Sequence, residues 1–144
     1  MQKTGNRCDC DQCQLKTLFF SHVSSDELTD ICEIKREENF SAGENIIREG
    51  ELINEFIYMK EGLVKLSKNS KNSKEQILSF SKPFDFVSLL SVFSSDTYKY
   101  SVTALQNTTV CIIDLNIVKK YAKQNALFTM DLMSRISVAT DKII

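Results

Sequence analysis

Short segments of apolar or alternating residues, separated by glycines, fill the middle of this chain and constrain its fold more than any other feature. Gly43, Gly50 and Gly62 stand where one segment gives way to the next, at points where a tight turn needs a positive φ angle. The segments predict strands at 33–40, 45–48, 56–60, 63–68, 75–81, 84–87, 98–105 and 108–114. Eight short strands in succession indicate a double-stranded β-helix, or jelly roll, with Greek-key links.

Helical spacing replaces this pattern at both ends of the chain. Apolar residues within 15–23 and 28–32 recur every three or four positions and predict two short helices before the roll. After Asp114 the same spacing returns, and a last helix is predicted from Ala126 to the end of the chain. The fold class is therefore α+β, mainly β. The predicted parts of the chain are an N-terminal arm (1–14), the β-roll (15–125) and the start of a dimerisation helix (126–144).

One face of the last helix carries an apolar stripe with heptad-like spacing. Its members are Met133, Ile136, Thr140 and Ile143, at successive separations of 3, 4 and 3 residues. The completed roll leaves little to cover such a stripe, so we expect it to be the seam of a homodimer.

Charge and hydropathy exclude several classes of protein. The formal net charge is −1 at pH 7, whereas a domain that grips DNA by its phosphates is usually basic. No apolar run approaches the roughly 18 residues that a membrane span needs, and the first residues lack the apolar part of a signal peptide. His22 is the only histidine, and without a second histidine or a Ser or Cys paired to it nucleophilic catalysis has little support. We therefore predict a cytoplasmic protein that is not an enzyme and binds no membrane.

Four cysteines make a set of soft ligands. Cys8, Cys10 and Cys13 lie within six residues, and Cys111 follows about a hundred residues later in an apolar run. In a reducing compartment such thiols suggest an iron–sulfur or zinc site. The alternatives are an arm with incidental thiols and, for Cys111, a buried cysteine that fills core space.

Five stretches of the middle region resemble the cyclic-nucleotide-binding β-roll of the Crp/Fnr family of bacterial transcription regulators. They are Phe40-x-x-Gly43-x-x-Ile46-x-x-x-Gly50, Gly62-x-Val64-Lys65, Pro83-Phe-Asp-Phe-Val-Ser88, Tyr100-Ser-Val-Thr-Ala-Leu105 and Thr109-Val-Cys111-Ile-Ile-Asp-Leu. The resemblance covers about residues 15–144. It implies a sensor roll, a dimerisation helix and a helix-turn-helix DNA-binding domain that this chain does not contain.

The resemblance also implies an effector pocket, whose expected contacts are altered here. Ser88 stands where nucleotide-binding members have a glycine, and Leu89 replaces their ribose-binding glutamate. The phosphate-binding arginine falls near Lys99, which has no bidentate fork. Cyclic AMP is therefore not expected to bind. Any other effector is expected near Ser88, Leu89, Leu90, Ser91, Tyr98, Lys99, Tyr100 and Ser101.

The oxygen-sensing branch of the family holds a [4Fe–4S] cluster on three N-terminal cysteines and one cysteine of the roll. Cys8, Cys10, Cys13 and Cys111 match those places, although the N-terminal spacing is tighter than in the well-known members. The resemblance then implies a redox- or oxygen-responsive regulator in which oxidation of the cluster weakens the dimer, with zinc as the alternative metal. The alternative function is a stand-alone or degenerate module with structural zinc or an unknown small-molecule ligand.

Overall fold

The computed structural model describes residues 35–69, 72, 74–83, 85–87 and 92–143. Several predictions fall outside the described residues: the two N-terminal helices, the arm with Cys8, Cys10 and Cys13, and the segment Ser88–Ser91.

The described residues form seven strands followed by two helices. The strands are β1 (Arg36–Phe40), β2 (Asn45–Ile47), β3 (Glu55–Glu61), β4 (Val64–Asn69), β5 (Glu75–Ser81), β6 (Ser101–Ala104) and β7 (Thr108–Asp114). The helices are α1 (Leu115–Gln124) and α2 (Ala126–Asp141). Neither helix is long and apolar enough to cross a membrane.

The strands form two antiparallel sheets, which confirms the predicted roll. One sheet has the order β1-β7-β3 and the other the order β2-β6-β4-β5, so most neighbouring strands are distant in the chain, and of the described strands only β4 and β5 are both paired and consecutive. The apolar run from Val110 to Ile113 lies in the central strand β7 and is buried on both faces. All three glycines have positive φ, between 93° and 103°, as the turn prediction requires.

The predicted strand at 84–87 was wrong. Phe86 makes an isolated bridge to Tyr58, and the segment is a turn whose peptides bond to β3 (Met59 N–H to Asp85 O, 2.8 Å). Two local features favour this turn: Pro83 has no N–H to donate, and the Asp85 carboxylate accepts from the Lys82 N–H at 3.0 Å.

The predicted strand at 98–105 is shorter in the structure. Only Ser101–Ala104 belong to a strand. The backbone N–H and C=O of Tyr98 bond instead to Glu51 O (3.0 Å) and to the Gly50 N–H (2.8 Å), which join this segment to the turn after β2.

Both helices begin at side-chain caps. Asp114 accepts from the Asn116 N–H at 2.7 Å and starts α1, and Asn125 accepts from the Phe128 N–H at 3.0 Å and starts α2. Asn125 is the sole linker between them. Buried side chains of α1 and α2 pack on the core of the roll: Leu115, Val118, Tyr121, Phe128 and Leu132.

Helix α2 stops at Asp141, before the end of the chain. The Lys142 N–H donates to both Ala139 O and Thr140 O, which closes the last turn. Ile143, predicted to lie on the helix, therefore follows it.

Candidate effector pocket and metal ligands

A cavity of about 320 Å³ lies between the second sheet and helix α2. Its walls come from β4, β5, the turn after β5, and one side of α2 with its C-cap. The lining residues are Leu66, Ser79, Phe80, Ser81, Asp85, Phe86, Asp131, Ser134, Arg135, Val138, Ala139 and Lys142. We call this space the roll–helix cavity.

The turn at 85–87 forms a fixed wall of the roll–helix cavity. Phe86 is 6% exposed, and its ring lies 5.0 Å from the ring centroids of both Phe56 and Tyr58. The Val87 N–H donates to Ile57 O at 3.1 Å, and Val87 O accepts from the Tyr100 hydroxyl at 2.7 Å. Stacking and backbone bonds together hold this wall on the roll.

Charged groups of α2 face this wall across the cavity. The Arg135 guanidinium lies 5.5 Å from the ring centroid of Phe86, within cation–π range. The Lys142 Nζ lies 3.9 Å from Asp85 Oδ1. With two acids, two bases, three serines and apolar walls, the cavity suits a small organic ligand that has both an apolar body and a charged group.

A second cavity, of about 540 Å³, lies beside the turn after β2. The buried Tyr98 forms part of it, and the Tyr98 hydroxyl donates to Glu55 O at 3.3 Å. Burial raises the pKa of Tyr98 well above its usual value, and the negative charges of Glu55 and Glu51 add to the rise.

The structure separates the predicted effector residues that it describes. Tyr98 and Tyr100 are buried with their rings 6.0 Å apart, whereas Lys99 between them is exposed. The Ser101 hydroxyl accepts from the Glu49 N–H at 2.9 Å. Of these four residues only Tyr98 lines either of the two cavities described above, and it lines the second cavity rather than the roll–helix cavity.

Sequence reasoning missed the α2 side of the roll–helix cavity. Asp131, Ser134, Arg135, Val138 and Lys142 recur at separations of 3, 1, 3 and 4 residues, which is the spacing of one helix face. This spacing is present in the sequence, but only the stripe that contains Met133 and Ile136 was predicted to have a function, as the dimer seam.

The predicted seam residues do not all face away from the roll. Met133 is 55% exposed and Ile143 is 41% exposed. Thr140 is also exposed, and its hydroxyl donates to Ile136 O at 2.9 Å. Ile136 itself is partly buried and packs against the hydrophobic core.

Cys111 lies at the centre of β7 and is fully buried. In the strand register it stands opposite Glu37 of β1 and Tyr58 of β3, and Glu37 pairs with Lys60. Within the described ranges no three His, Cys, Asp or Glu side chains come together to form a metal site. The structure therefore places one of the four predicted ligands, and the other three lie outside the described residues. Thiolate ligands suit iron–sulfur clusters and zinc alike, so the donor set fits either.

Comparison with known proteins identifies the roll. The family model for the cyclic nucleotide-binding domain matches residues 37–125. The nitrogen fixation regulation protein FixK of Bradyrhizobium diazoefficiens is 29% identical over 103 residues, which are 71% of this chain and 42% of FixK. The transcriptional activator protein Anr of Pseudomonas protegens is 27% identical over 137 residues, which are 94% of this chain and 56% of Anr. The chain thus spans about half the length of the curated relatives that it matches.

Solved structures share the fold at low sequence identity. The sensor domain of the transcriptional regulator DNR from Pseudomonas aeruginosa superposes with a TM-score of 0.79 at 18% identity, covering 89% of this chain and 87% of that domain. The catabolite activator protein of Thermus thermophilus superposes with a TM-score of 0.68 at 15% identity, covering 83% of this chain and 56% of that protein.

Proposed function

The chain belongs to the cyclic nucleotide-binding domain family, and from this membership we propose that it is the sensor part of a Crp/Fnr-type transcription regulator that acts as a homodimer. The observation that carries the proposal is the roll–helix cavity, whose walls come from both the β-roll and α2. A ligand or a redox change on the roll side can bias the packing of α2, because the two sides share one space. The role is regulatory rather than catalytic, and DNA contact belongs to a part of the regulator beyond this roll.

We propose further that Cys8, Cys10, Cys13 and Cys111 hold a [4Fe–4S] cluster. Support comes from the position of Cys111 on the central strand β7, in the place where the oxygen-sensing branch has its roll cysteine. When bound, such a cluster would supply redox reactivity towards oxygen.

Anaerobic purification tests this metal site. The wild-type protein is expected to contain iron and inorganic sulfide and to absorb broadly near ~400 nm, as thiolate-ligated clusters do. Cys111→Ala is expected to lose most of the iron, while the control Cys32→Ala retains it, because Cys32 belongs to an apolar helix face in the sequence. Equal iron in wild type and Cys111→Ala would contradict the proposal, and colourless protein with stoichiometric zinc would favour a structural zinc site.

A second candidate function is a small-molecule-responsive roll without a cluster. The roll–helix cavity favours it, since apolar walls with convergent charges and hydroxyls describe most organic-ligand sites. A protein purified anaerobically without metal, yet stabilised by a small organic anion in a thermal-shift screen, would support this candidate instead.

A further inference from the structure

Helix α2 has one exposed face, and other residues of the helix pack against the hydrophobic core. Met133 and Met130 are more than half exposed and available to a second copy of the chain. Ile136 belongs to the same predicted stripe but is partly buried and packs against the hydrophobic core. As long as α2 lies in this position, the seam lacks one of its central apolar residues.

Phe128 and Leu132 anchor the first half of α2 in the core, and two further contacts, nearer the end of the helix, cross the roll–helix cavity. The Arg135 guanidinium lies over the Phe86 ring at 5.5 Å, directly beside Ile136 in the chain. Lys142 lies 3.9 Å from Asp85 at the C-terminal end of the helix. Phe86 and Asp85 belong to the turn that is bonded to β3, whereas Arg135 and Lys142 belong to α2 and its C-cap.

We propose that the Arg135–Phe86 and Lys142–Asp85 contacts form an autoinhibitory latch, which withdraws Ile136 from the dimer seam while it is closed. Release of the latch frees Ile136 and strengthens dimerisation. The inference rests on the proposed function in one respect, namely that α2 is the dimerisation helix. It adds the residues that regulate the helix.

The two contacts are strong enough to stabilise the position of α2 and weak enough to be broken by a competing ligand. A cation over a buried aromatic ring gains from the desolvated surroundings, while the Lys142–Asp85 pair is half exposed and contributes little alone. Both cations line the cavity. A ligand there that carries a negative charge competes with Phe86 and Asp85 for them, which couples occupancy of the cavity to the seam.

Matched variants separate the latch from general loss of charge. Arg135→Gln and Lys142→Gln open the two contacts. Lys120→Gln removes a cation 5.7 Å from the Tyr121 ring on α1, and Lys82→Gln removes the other cation 3.9 Å from Asp85. Lys120 belongs to α1 and Lys82 to the segment after β5, so neither control residue belongs to α2. Amide hydrogen exchange of residues 126–143 measures how firmly α2 is held on the roll. Sedimentation equilibrium measures the dimer dissociation constant.

We expect Arg135→Gln to raise amide exchange in α2 by roughly two- to tenfold, the range of one cation–π contact. The dimer dissociation constant should fall by a similar factor. Lys142→Gln should act in the same direction and less strongly, and both controls should match wild type. Adding Ile136→Ala to Arg135→Gln should abolish the gain in association, with a thermal melt to show that the double variant is folded.

Three outcomes would overturn the latch. They are unchanged exchange in Arg135→Gln, weaker association despite faster exchange, and a gain in association that survives Ile136→Ala. If exchange rises as expected while every variant and the wild type stay monomeric at all concentrations, the dimer role of α2 fails. The regulation proposed here fails with it, whereas the proposal for the cysteine site is unaffected.

Discussion

Tyr98 shows how one buried hydroxyl makes stability depend on pH. Its pKa is raised by burial and by the nearby charges of Glu55 and Glu51. In the unfolded chain a tyrosine ionises near about pH 10. Between that pH and the higher folded pKa, the unfolded state has released a proton that the folded state keeps. The contribution of the neutral Tyr98 hydroxyl to the free energy of unfolding is therefore fully present below the pKa of the unfolded chain. It is lost as pH rises through the pKa of the folded protein.

Tyr98→Phe should remove this alkaline loss. The variant gives up a 3.3 Å hydrogen bond to Glu55 O, so a small cost of about 1 kcal/mol is expected at neutral pH. Above about pH 10 the unfolding free energy of the wild type should fall more steeply than that of Tyr98→Phe. Urea titrations of both proteins across this range measure the difference, and parallel curves would contradict the assignment.

Gly62 combines a positive φ with a close backbone approach. Its φ is 103°, and an added Cβ would lie 2.7 Å from Asn107 O and in collision with Thr108. Gly43 has a similar φ of 93° but open space around it. The two glycines therefore separate the cost of a strained φ from the cost of a clash.

Gly62→Ala is expected to destabilise the fold by about 2–4 kcal/mol, against about 1 kcal/mol for Gly43→Ala. The larger cost arises because β7 would have to shift to make room for the methyl group. Urea unfolding of the two variants and the wild type gives both values. Equal losses of stability in the two variants would mean that the turn before β4 accommodates the methyl group without displacing β7.

At the scale of elements, α2 is the helix on which the proposed regulation depends. Its exposed face gives a direct test of the predicted seam. Met133→Asp places a charge at a position that is 55% exposed, so folding should be unaffected. A dimer with Met133 in its seam should weaken by about tenfold or more, because the charge would be buried against a second apolar helix.

Sedimentation equilibrium measures this effect, with Lys119→Asp on the exposed face of α1 as the charge-changing control. Only the Met133 variant should shift towards monomer. If the two variants sediment alike, Met133 lies outside the interface.

The elements also show where local patterns predict structure and where they fail. Strand β7 was predicted at 108–114, which are its bounds in the structure, and helical spacing was predicted to return after Asp114, where α1 begins, because both patterns are local signals. The strand prediction at 84–87 failed for the described residues 85–87, which form a turn. Phe86 is buried by tilted ring contacts with Phe56 and Tyr58, which are distant in the chain, and not by pairing within a strand.

At the scale of the whole molecule, the described part of the predicted cyclic nucleotide pocket lacks convergent charge. Lys99 is exposed, and Leu89 replaces the family's glutamate in the sequence. We therefore expect no calorimetric binding of cyclic AMP in the micromolar range. A Leu89→Glu, Lys99→Arg double variant is the matched comparison. A low-micromolar dissociation constant for the wild type would contradict the prediction.

The sequence by itself determined the roll, the positive-φ glycines, the last helix and the resemblance that the family match confirmed. Each of these depends on spacing along the chain, which fixes local conformation. Only the tertiary structure decided that Lys99 is exposed between two buried tyrosines, that Arg135 lies over Phe86, and that Ile136 packs against the hydrophobic core. Helical periodicity defines the faces of α2 but not which face is covered, because the wall opposite Arg135 is built from strands and a turn some fifty or more residues earlier in the chain.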